Sequence, residues 1–199
     1  MTTCYLIVNA DDLGMTAAVN EGIFAAHEEG IVTSASLMVG REAAADAAEA
    51  LAAHPDLAVG LHLEPEGCRE QLQRFRELVG REPTHVDSHK HVHESEPVAA
   101  VAEAIAAELG VPLRNRTIRY EGGFYGREAI TVGRLTKLIE DLPPGWTEIG
   151  CHPAAGPVPS SSYDAERQIE LATLRDPGVK SLLNVTSVRL CSYAQVFAP

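Results

Sequence analysis

The sequence predicts an α/β fold in which about seven strand–helix units form a single domain over residues 1–199. Short apolar segments alternate with amphipathic segments from one end to the other, and no low-complexity linker interrupts them. Regular alternation of this kind implies parallel strands joined by right-handed crossovers. A compact, incomplete barrel suits this number of units and this chain length, and a doubly wound open sheet is the alternative.

The first unit shows the pattern clearly. The nearly continuous apolar segment CYLIVNA is typical of a buried strand, and TAAVNEGIFAAHEEG is typical of an amphipathic helix. Thr16 fits the N-cap of that helix, and Gly30 fits its end. The double aspartate Asp11–Asp12 lies between the two segments, at the end of the strand.

Three clear units follow, with strand segments SASLMVG, LAVGLHL and THVDSH and helical segments REAAADAAEALAAH, CREQLQRFRELVG and PVAAVAEAIAAELG. Ser95 is a candidate N-cap for the last helix, with Pro97 in its first turn. PLRNRTIRY and WTEIGCHP predict further strands, separated by the loop EGGFYG and a helical REAITVGRLTKLIEDL. HPAAGPVPSSSYD reads as a long mobile loop, after which DAERQIELATL and VTSVRLCSY end the series.

Composition excludes several classes of partner. The net charge of −12 and the isoelectric point near 5.0 argue against a nucleic-acid backbone or an anionic membrane, since either needs clustered Lys and Arg. The four cysteines are scattered without a CxxC pair, which indicates free thiols. No run approaches the roughly 18 apolar residues of a membrane-spanning helix. The sequence therefore predicts a cytoplasmic protein.

Polar residues, most of them ionisable, follow four of the predicted strands, and the carboxyl ends of parallel strands share one rim. They are Asn9, Asp11 and Asp12; His62 and Glu64; Asp87, His89, His91 and His93; and His152. Neighbouring aspartates at a strand end point in different directions, and burying both is costly without a cation. An Asp with two imidazoles is a common catalytic metal arrangement, and such an ion makes hydroxide available near neutral pH.

The segment THVDSHKHVHE places His85, Asp87, His89, His91 and His93 at every second position. In an extended strand this spacing would put all five side chains on one face. His91 and His93 lie past the expected end of the strand, so they can equally shape the loop or support a ligand from behind.

Each candidate also has an ordinary structural interpretation. Asp11 and Asp12 could cap the first helix, and His62 alone could be a hydrogen-bonded core histidine. His152, which precedes Pro153, could be a loop residue. The recurrence of such residues at several strand ends favours a catalytic site over these readings.

Six ordered motifs, LIVNADDLG, GIVTSASLMV, AVGLHL, PTHVDSHKHVH, GFYG and EIGCHPA, resemble those of the YdjC-like carbohydrate deacetylase family, which includes chitooligosaccharide deacetylases. The resemblance runs from about residue 5 to residue 193. It implies a distorted (β/α) barrel and the metal-dependent removal of an acetyl group from an N-acetylated sugar. Between GLHL and PTHVDSH this chain has only a short segment, whereas longer family members carry an insertion, so the resemblance implies a reduced substrate wall.

The resemblance also implies roles for individual residues. Asp12, His62 and His89 would hold the metal, with Asp11 as the general base and His152 as the general acid. Tyr125 of GFYG would bind substrate, with a packed loop aromatic as its alternative reading. Asp87, His91 and His93 would orient ligands from behind.

One divalent ion is expected, with zinc or magnesium first and cobalt, nickel or manganese also compatible with imidazole and carboxylate ligands. The leading hypothesis is deacetylation of an N-acetylated saccharide or glycoconjugate. A hydrolase of another ester, amide or phosphate is the second hypothesis, and an inactive sugar-binding barrel is the third. The short segment after GLHL also suggests a homodimer, in which a second subunit could complete the site.

Overall fold

Seven parallel strands form one sheet in the part of the chain that the computed structural model describes, residues 3–197. The strands are β1 (Cys4–Leu13), β2 (Ser34–Leu37), β3 (Ala58–Leu63), β4 (Val86–Ser88), β5 (Arg119–Glu121), β6 (Gly145–Cys151) and β7 (Val188–Cys191). Their order is β4-β3-β2-β1-β6-β5, and β7 pairs with β1. Each pairing between named strands is parallel, as the alternating sequence predicts.

Helices connect the strands. They are α1 (Ala17–Glu28), α2 (Ala44–Ala50), α3 (Cys68–Val79), α4 (Val98–Leu109), α5 (Val132–Glu140), α6 (Asp164–Leu174) and α7 (Pro177–Val185). Short 3-10 segments follow α2, β4 and β7, at Leu51–Ala53, His89–Glu94 and Tyr193–Gln195. Within residues 3–197, none of the helices combines the length and the apolar character that a membrane crossing requires.

The sheet curls into an incomplete barrel around β1, its longest strand. β6 pairs with β1 from Cys4 to Ala10, while on the other side β7 covers the first residues of β1 and β2 covers the last. Isolated parallel bridges from Val86 to Leu113 and from Arg114 to Ile118 continue the pairing from β4 towards β5. The barrel prediction is confirmed, and the open sheet is not observed.

Side-chain alternation along β1 separates an apolar layer from a polar interior. Leu6 and Val8 belong to the large apolar core, which includes residues of the surrounding helices. Ile7 belongs to a small separate cluster, and Asn9 and Asp11 make buried polar contacts further along the strand. The barrel therefore has an apolar floor and a polar upper half, below the rim where the strands end.

Two capping predictions have different outcomes. Thr16 caps α1, because its hydroxyl accepts a hydrogen bond from the backbone N–H of Val19 at 3.3 Å, so Asp11 and Asp12 are not the cap. The prediction of Ser95 as the cap of α4 is wrong. That helix begins at Val98 with Pro97 at the N-cap position, and no side chain caps it.

Other differences concern the second half of the chain. Of the segment PLRNRTIRY, only Arg119 and Tyr120 lie in a strand, because the preceding residues form a turn that is closed by the bridge between Arg114 and Ile118. α7 was not predicted, although Asp176 at its N-cap and Pro177 at its first position are a recognisable start signal. The four cysteines are free, as predicted.

Candidate active site

Asp12, His62 and His89 come together at the rim of the barrel. Oδ1 of Asp12 lies 3.1 Å from Nδ1 of His89 and 3.5 Å from Nε2 of His62. One donor atom of each residue lies within 4.8 Å of the other two. The three side chains come from the ends of β1, β3 and β4, so the prediction that parallel strands deliver them to one place agrees with the structure.

The backbone at the end of β1 sends the two aspartates in different directions. Asp12 is left-handed with φ 69°, and the pairing register between β1 and β2 shifts between Ala10 and Leu13. Asp tolerates this conformation better than most residues do. As a result Asp12 faces His62 and His89 while Asp11 faces Arg114, as the adjacent pair predicts.

His62 is held in orientation by a buried carboxylate. Its Nδ1 lies 2.8 Å from Oδ1 of Asp87, which leaves Nε2 directed at Asp12. The other oxygen of Asp87 accepts a hydrogen bond from Ser36 at 2.7 Å and lies 2.7 Å from Nη2 of Arg114. All of these groups are buried, so the imidazole has little freedom to turn.

Arg114 is the buried counterion that the sequence did not reveal. Its Nη1 and Nη2 donate to both oxygens of Asp11 at 2.7 and 2.6 Å, and its Nε and Nη2 donate to Glu148 at 2.9 and 2.5 Å. Tyr193 donates to the far oxygen of Glu148. Asn9 adds a hydrogen bond to Asp11 at 2.8 Å. Arg114 therefore joins the rim to the barrel interior.

Arg167 of α6 was also missed. Its Nη2 donates to Oδ2 of Asp12 at 2.6 Å, which leaves Oδ1 for the two histidines. The four residues Arg167, Glu170, Leu171 and Leu174 are spaced i, i+3, i+4 and i+7, and all four are buried. Charged residues in an apolar stripe are the signal that could have identified Arg167 and Glu170 from DAERQIELATL.

His152 follows β6 and faces the same site. Its Nε2 lies 3.8 Å from Oδ2 of Asp11, and its Nδ1 lies 4.0 Å from Oε1 of Glu170 and has no hydrogen-bond partner in the described part of the chain. Glu170 accepts hydrogen bonds from the backbone N–H of His152 and, at 2.7 Å, from the hydroxyl of Tyr163. The exposed ring of Tyr125 stacks on Tyr163 with centroids 4.4 Å apart, and its centroid lies 5.5 Å from that of His152.

The histidine series after β4 does not form one face. The strand ends at Ser88, and Lys90 and His91 are left-handed with φ 54° and 55°, so the alternating pattern stops after Asp87. His85 points into the barrel, where it hydrogen-bonds to Ser36 at 3.0 Å away from the rim cavity. The one-face prediction is therefore wrong, because a turn replaces the extended strand.

Three predicted rim residues are placed differently from the central group. Glu64 pairs with Arg41 and does not line the rim cavity. His91 lines that cavity, whereas His93 is buried behind it with Nδ1 2.5 Å from Oγ of Ser88.

The rim encloses a cavity of about 450 Å³. Its lining includes Asp11, Asp12, His62, His89 and His152, together with Tyr125, Tyr120, Arg167 and the serines 160–162. The loop that contains these serines therefore borders the site.

The aspartates of the site stay ionised and stabilise positive charge on their neighbours. Burial alone would raise the pKa of Asp12, but hydrogen bonds from His62 and His89 hold that pKa well below its usual range. Burial opposes protonation of His62, yet the charges of Asp87 and Asp11 raise the pKa of His62 to about 10. Burial also raises the pKa of Asp11, but the guanidinium of Arg114 outweighs this effect and lowers it.

His152 and Glu170 shift in opposite senses. Burial lowers the pKa of His152, against the charges of Asp11 and Asp12. Burial raises the pKa of Glu170 to about 8, although hydrogen bonds from His152 and Tyr163 favour its ionised form. Both groups therefore resist charge near neutral pH.

Comparison with known proteins identifies the family to which the chain is similar. Residues 5–64 and 66–185 match the family described as YdjC-like protein. A carbohydrate deacetylase from Geobacillus stearothermophilus is 35% identical, with 97% of this chain and 98% of the relative covered. A chitooligosaccharide deacetylase from Escherichia fergusonii is 30% identical, with 96% and 98% covered. The Geobacillus alignment runs over 243 positions while this chain has 199 residues, so that relative contains segments that this chain lacks.

Solved structures agree with the fold. A crystal structure from Enterococcus faecalis, of a protein with a suggested role in cellobiose-phosphate cleavage, superposes with a TM-score of 0.87 at 27% identity, covering 98% of this chain and 99% of that one. A family 4 carbohydrate esterase from Streptomyces lividans shares the fold, with a TM-score of 0.62 at 13% identity, covering 96% and 93%. The family match spans most of the sequence, and this chain belongs to the YdjC-like protein family.

Proposed function

We propose that this protein is a metal-dependent carbohydrate deacetylase that removes the N-acetyl group from an acetylated sugar, either a chito-oligosaccharide or a glycoconjugate. The names of its relatives support the reaction class. The observation that carries the proposal is the meeting of Asp12, His62 and His89 with Asp11 and His152 in one cavity. Amide hydrolysis needs an activated water, a stabilised oxyanion and a proton for the leaving amine, and this group can supply all three.

The donor set of Asp12, His62 and His89 fits a divalent ion. It offers one carboxylate oxygen and two imidazole nitrogens, which is a common set for a catalytic site with open positions. Two imidazoles favour zinc, cobalt or nickel over magnesium or manganese. When bound, the ion would supply a Lewis acid that lowers the pKa of water and polarises the acetyl carbonyl. Asp87 orients His62 through its Nδ1, a support that ligating histidines commonly have.

We assign Asp11 as the general base. Its lowered pKa keeps it ionised at neutral pH, so it can accept a proton from the attacking water. Arg114 and Asn9 hold its carboxylate in place through three hydrogen bonds. Asp11 is one of the residues that line the cavity.

We assign His152 as the general acid. Its Nε2 lies on the cavity side, 3.8 Å from Asp11, so the scissile amide fits beside both groups. A proton held at Nε2 would pass to the departing sugar amine. Glu170 lies 4.0 Å from the other ring nitrogen and accepts a hydrogen bond from the backbone N–H of His152, which helps to position the imidazole.

Tyr125 supplies an exposed aromatic surface next to His152. Tyr125 is 56% exposed, and its ring stacks on the nearly parallel ring of Tyr163. A sugar ring that stacks on this surface would bring its acetamido group towards the cavity. We therefore propose Tyr125 as a substrate-binding residue.

The cytoplasmic location and the homodimer stay predictions of the sequence.

The test is acetate release from N-acetylglucosamine oligomers and glycoconjugates by metal-stripped protein resupplied with zinc, cobalt, nickel, manganese or magnesium in turn. We expect release with at least one ion, and we expect Asp11→Asn to abolish it. Asp46→Asn, at an exposed carboxylate of α2, is the matched control and should leave release unchanged. Absence of acetate with every ion, in protein that binds metal through His62 and His89, would reject the deacetylase. Phosphate release from sugar phosphates would then identify a different hydrolase.

A further inference from the structure

A second group of metal-binding side chains lies in the turn after β4. One donor atom each of His91, His93 and Glu94 lies within 4.8 Å of the other two. His93 is fully buried, His91 is partly buried and Glu94 is exposed, so the group runs from the interior to the surface. None of its members belongs to the group proposed above to hold the catalytic ion.

Two nitrogens of this group are buried without a hydrogen-bond partner among residues 3–197. They are Nδ1 of His91 and Nε2 of His93. A buried polar atom left unpaired destabilises the folded state, so such atoms usually have a partner. An ion would satisfy a ring lone pair that no neighbouring donor reaches.

Neighbouring groups fix both ends of the cluster. With the proton of His93 on Nδ1, the hydroxyl oxygen of Ser88 accepts from that ring nitrogen at 2.5 Å and from the backbone N–H of His93 at 2.9 Å. This arrangement leaves the lone pair of Nε2 free, as in a metal-ligating histidine. Oε1 of Glu94 accepts from Asn115 at 2.8 Å, which holds the carboxylate while Oε2 remains available.

The chemistry of these side chains agrees with that of metal ligands. Two neutral imidazoles and one carboxylate, completed by water, form a familiar donor set for zinc.

We propose that His91, His93 and Glu94 form a second divalent-cation site, separate from the Asp12–His62–His89 group, for an ion with the preferences of zinc or cobalt. Such an ion would bridge the turn in which Lys90 and His91 are left-handed, and would therefore hold the segment that presents His89. The site does not depend on the proposed deacetylase activity.

The test is the cobalt stoichiometry of metal-stripped protein, read by metal analysis after dialysis and by the visible absorption of the bound ion. Wild type should bind two equivalents, and His62→Ala and His93→Ala should bind one each. In the His62→Ala background, cobalt should still raise the unfolding temperature. His54→Ala, at a histidine that belongs to neither group, is the matched control and should bind two.

Glu94→Gln keeps the experiment decisive if loss of the buried His93 prevents folding. Glu94 is exposed, and its replacement should weaken the second equivalent at least tenfold while leaving the first unchanged. A single equivalent in wild type that disappears in His62→Ala and persists in His93→Ala would overturn the proposal. If the protein releases no acetate but binds two equivalents of cobalt, the deacetylase proposal fails and the proposal of a second site stands. The two proposals can therefore fail separately.

Discussion

Replacing Arg114 with Met should destabilise the protein more than any change at a surface charge. The guanidinium is fully buried and is the shared partner of Asp11, Asp87 and Glu148, with N–O distances between 2.5 and 2.9 Å. Methionine has a similar length and no charge, so the change removes the cation without opening a large cavity. Three buried carboxylates would then lose the cation that they share.

The expected loss is large for a domain of this size. Removing one partner of a buried ion pair costs about 3–5 kcal/mol, because the remaining charge stays out of water without compensation. Total stabilities of single domains lie at about 5–15 kcal/mol. We therefore expect the free energy of unfolding of Arg114→Met to fall by at least about 3 kcal/mol at neutral pH.

The loss should depend on pH with a definite sign. In wild type, Arg114 outweighs burial and lowers the pKa of Asp11 and Asp87, so these groups contribute stability above their unfolded pKa of 3.8 and lose it as the pH falls. In the variant, burial loses its largest opponent, so the pKa values of Asp11 and Asp87 rise, although the charge of His62 still lowers both. The penalty then grows as the pH rises, so the deficit should be smaller near pH 5 than near pH 8.

Urea denaturation followed by circular dichroism at these two pH values measures the effect. Arg116→Met is the matched control, since Arg116 lies two residues away but is exposed and pairs with exposed Glu103 at 3.2 Å. The free energy of unfolding of Arg116→Met should differ from that of wild type by less than about 1 kcal/mol. A loss in Arg114→Met equal to that of the control, or a deficit that grows towards acid, would refute the assignment of Arg114 as the buried counterion.

Three further changes test other parts of the site. Wild type should lose stability as the pH rises from about 5 to about 9, because burial raises the Glu170 pKa from 4.5 to about 8 and the folded state resists ionisation of this group. Glu170→Gln should make this loss smaller, and an unchanged dependence of the unfolding free energy on pH in urea titrations would contradict the prediction. Gly60→Ala should cost about 1–3 kcal/mol, because a Cβ would lie 2.4 Å from the ring of His85, whereas Gly133→Ala, with open space, should cost nothing in the same assay. Tyr125→Ala should raise KM for acetate release several-fold with kcat within about twofold, and a fall in kcat alone would exclude a binding role.

The sequence predicts the position of the site because parallel strands impose it. Short, nearly continuous apolar segments locate β1 and β3, and the ionisable residues near their ends, Asp11, Asp12 and His62, mark the ends that share a rim. The prediction needs only the direction of each strand and the place where it ends. It fails after β4, where the left-handed residues Lys90 and His91 convert an alternating sequence into a turn, and neither is a glycine that would have signalled it.

The counterions could not be predicted in the same way. Arg114 lies 103 residues from Asp11, and Arg167 lies 155 residues from Asp12, so neither contact follows from local spacing. Arg114 stands in an irregular segment without hydrophobic periodicity. Arg167 does occupy an apolar stripe of α6, which makes its burial readable but not its partner.

The need for positive charge beside the buried Asp11 and Asp12 was therefore anticipated, while the part that two arginines play in meeting it was not. Arginines neutralise Asp11 and occupy one oxygen of Asp12, so a divalent ion would meet a single carboxylate oxygen and the imidazoles of His62 and His89. With both rings neutral, such a centre keeps a net positive charge, which favours polarisation of a carbonyl and stabilisation of an oxyanion. If Arg167 were replaced by Met, Asp12 could offer both oxygens, and the ion should bind more tightly but act as a weaker Lewis acid. Cobalt affinity and kcat for acetate release should then change in opposite directions, and a parallel loss of both would show that Arg167 only positions Asp12.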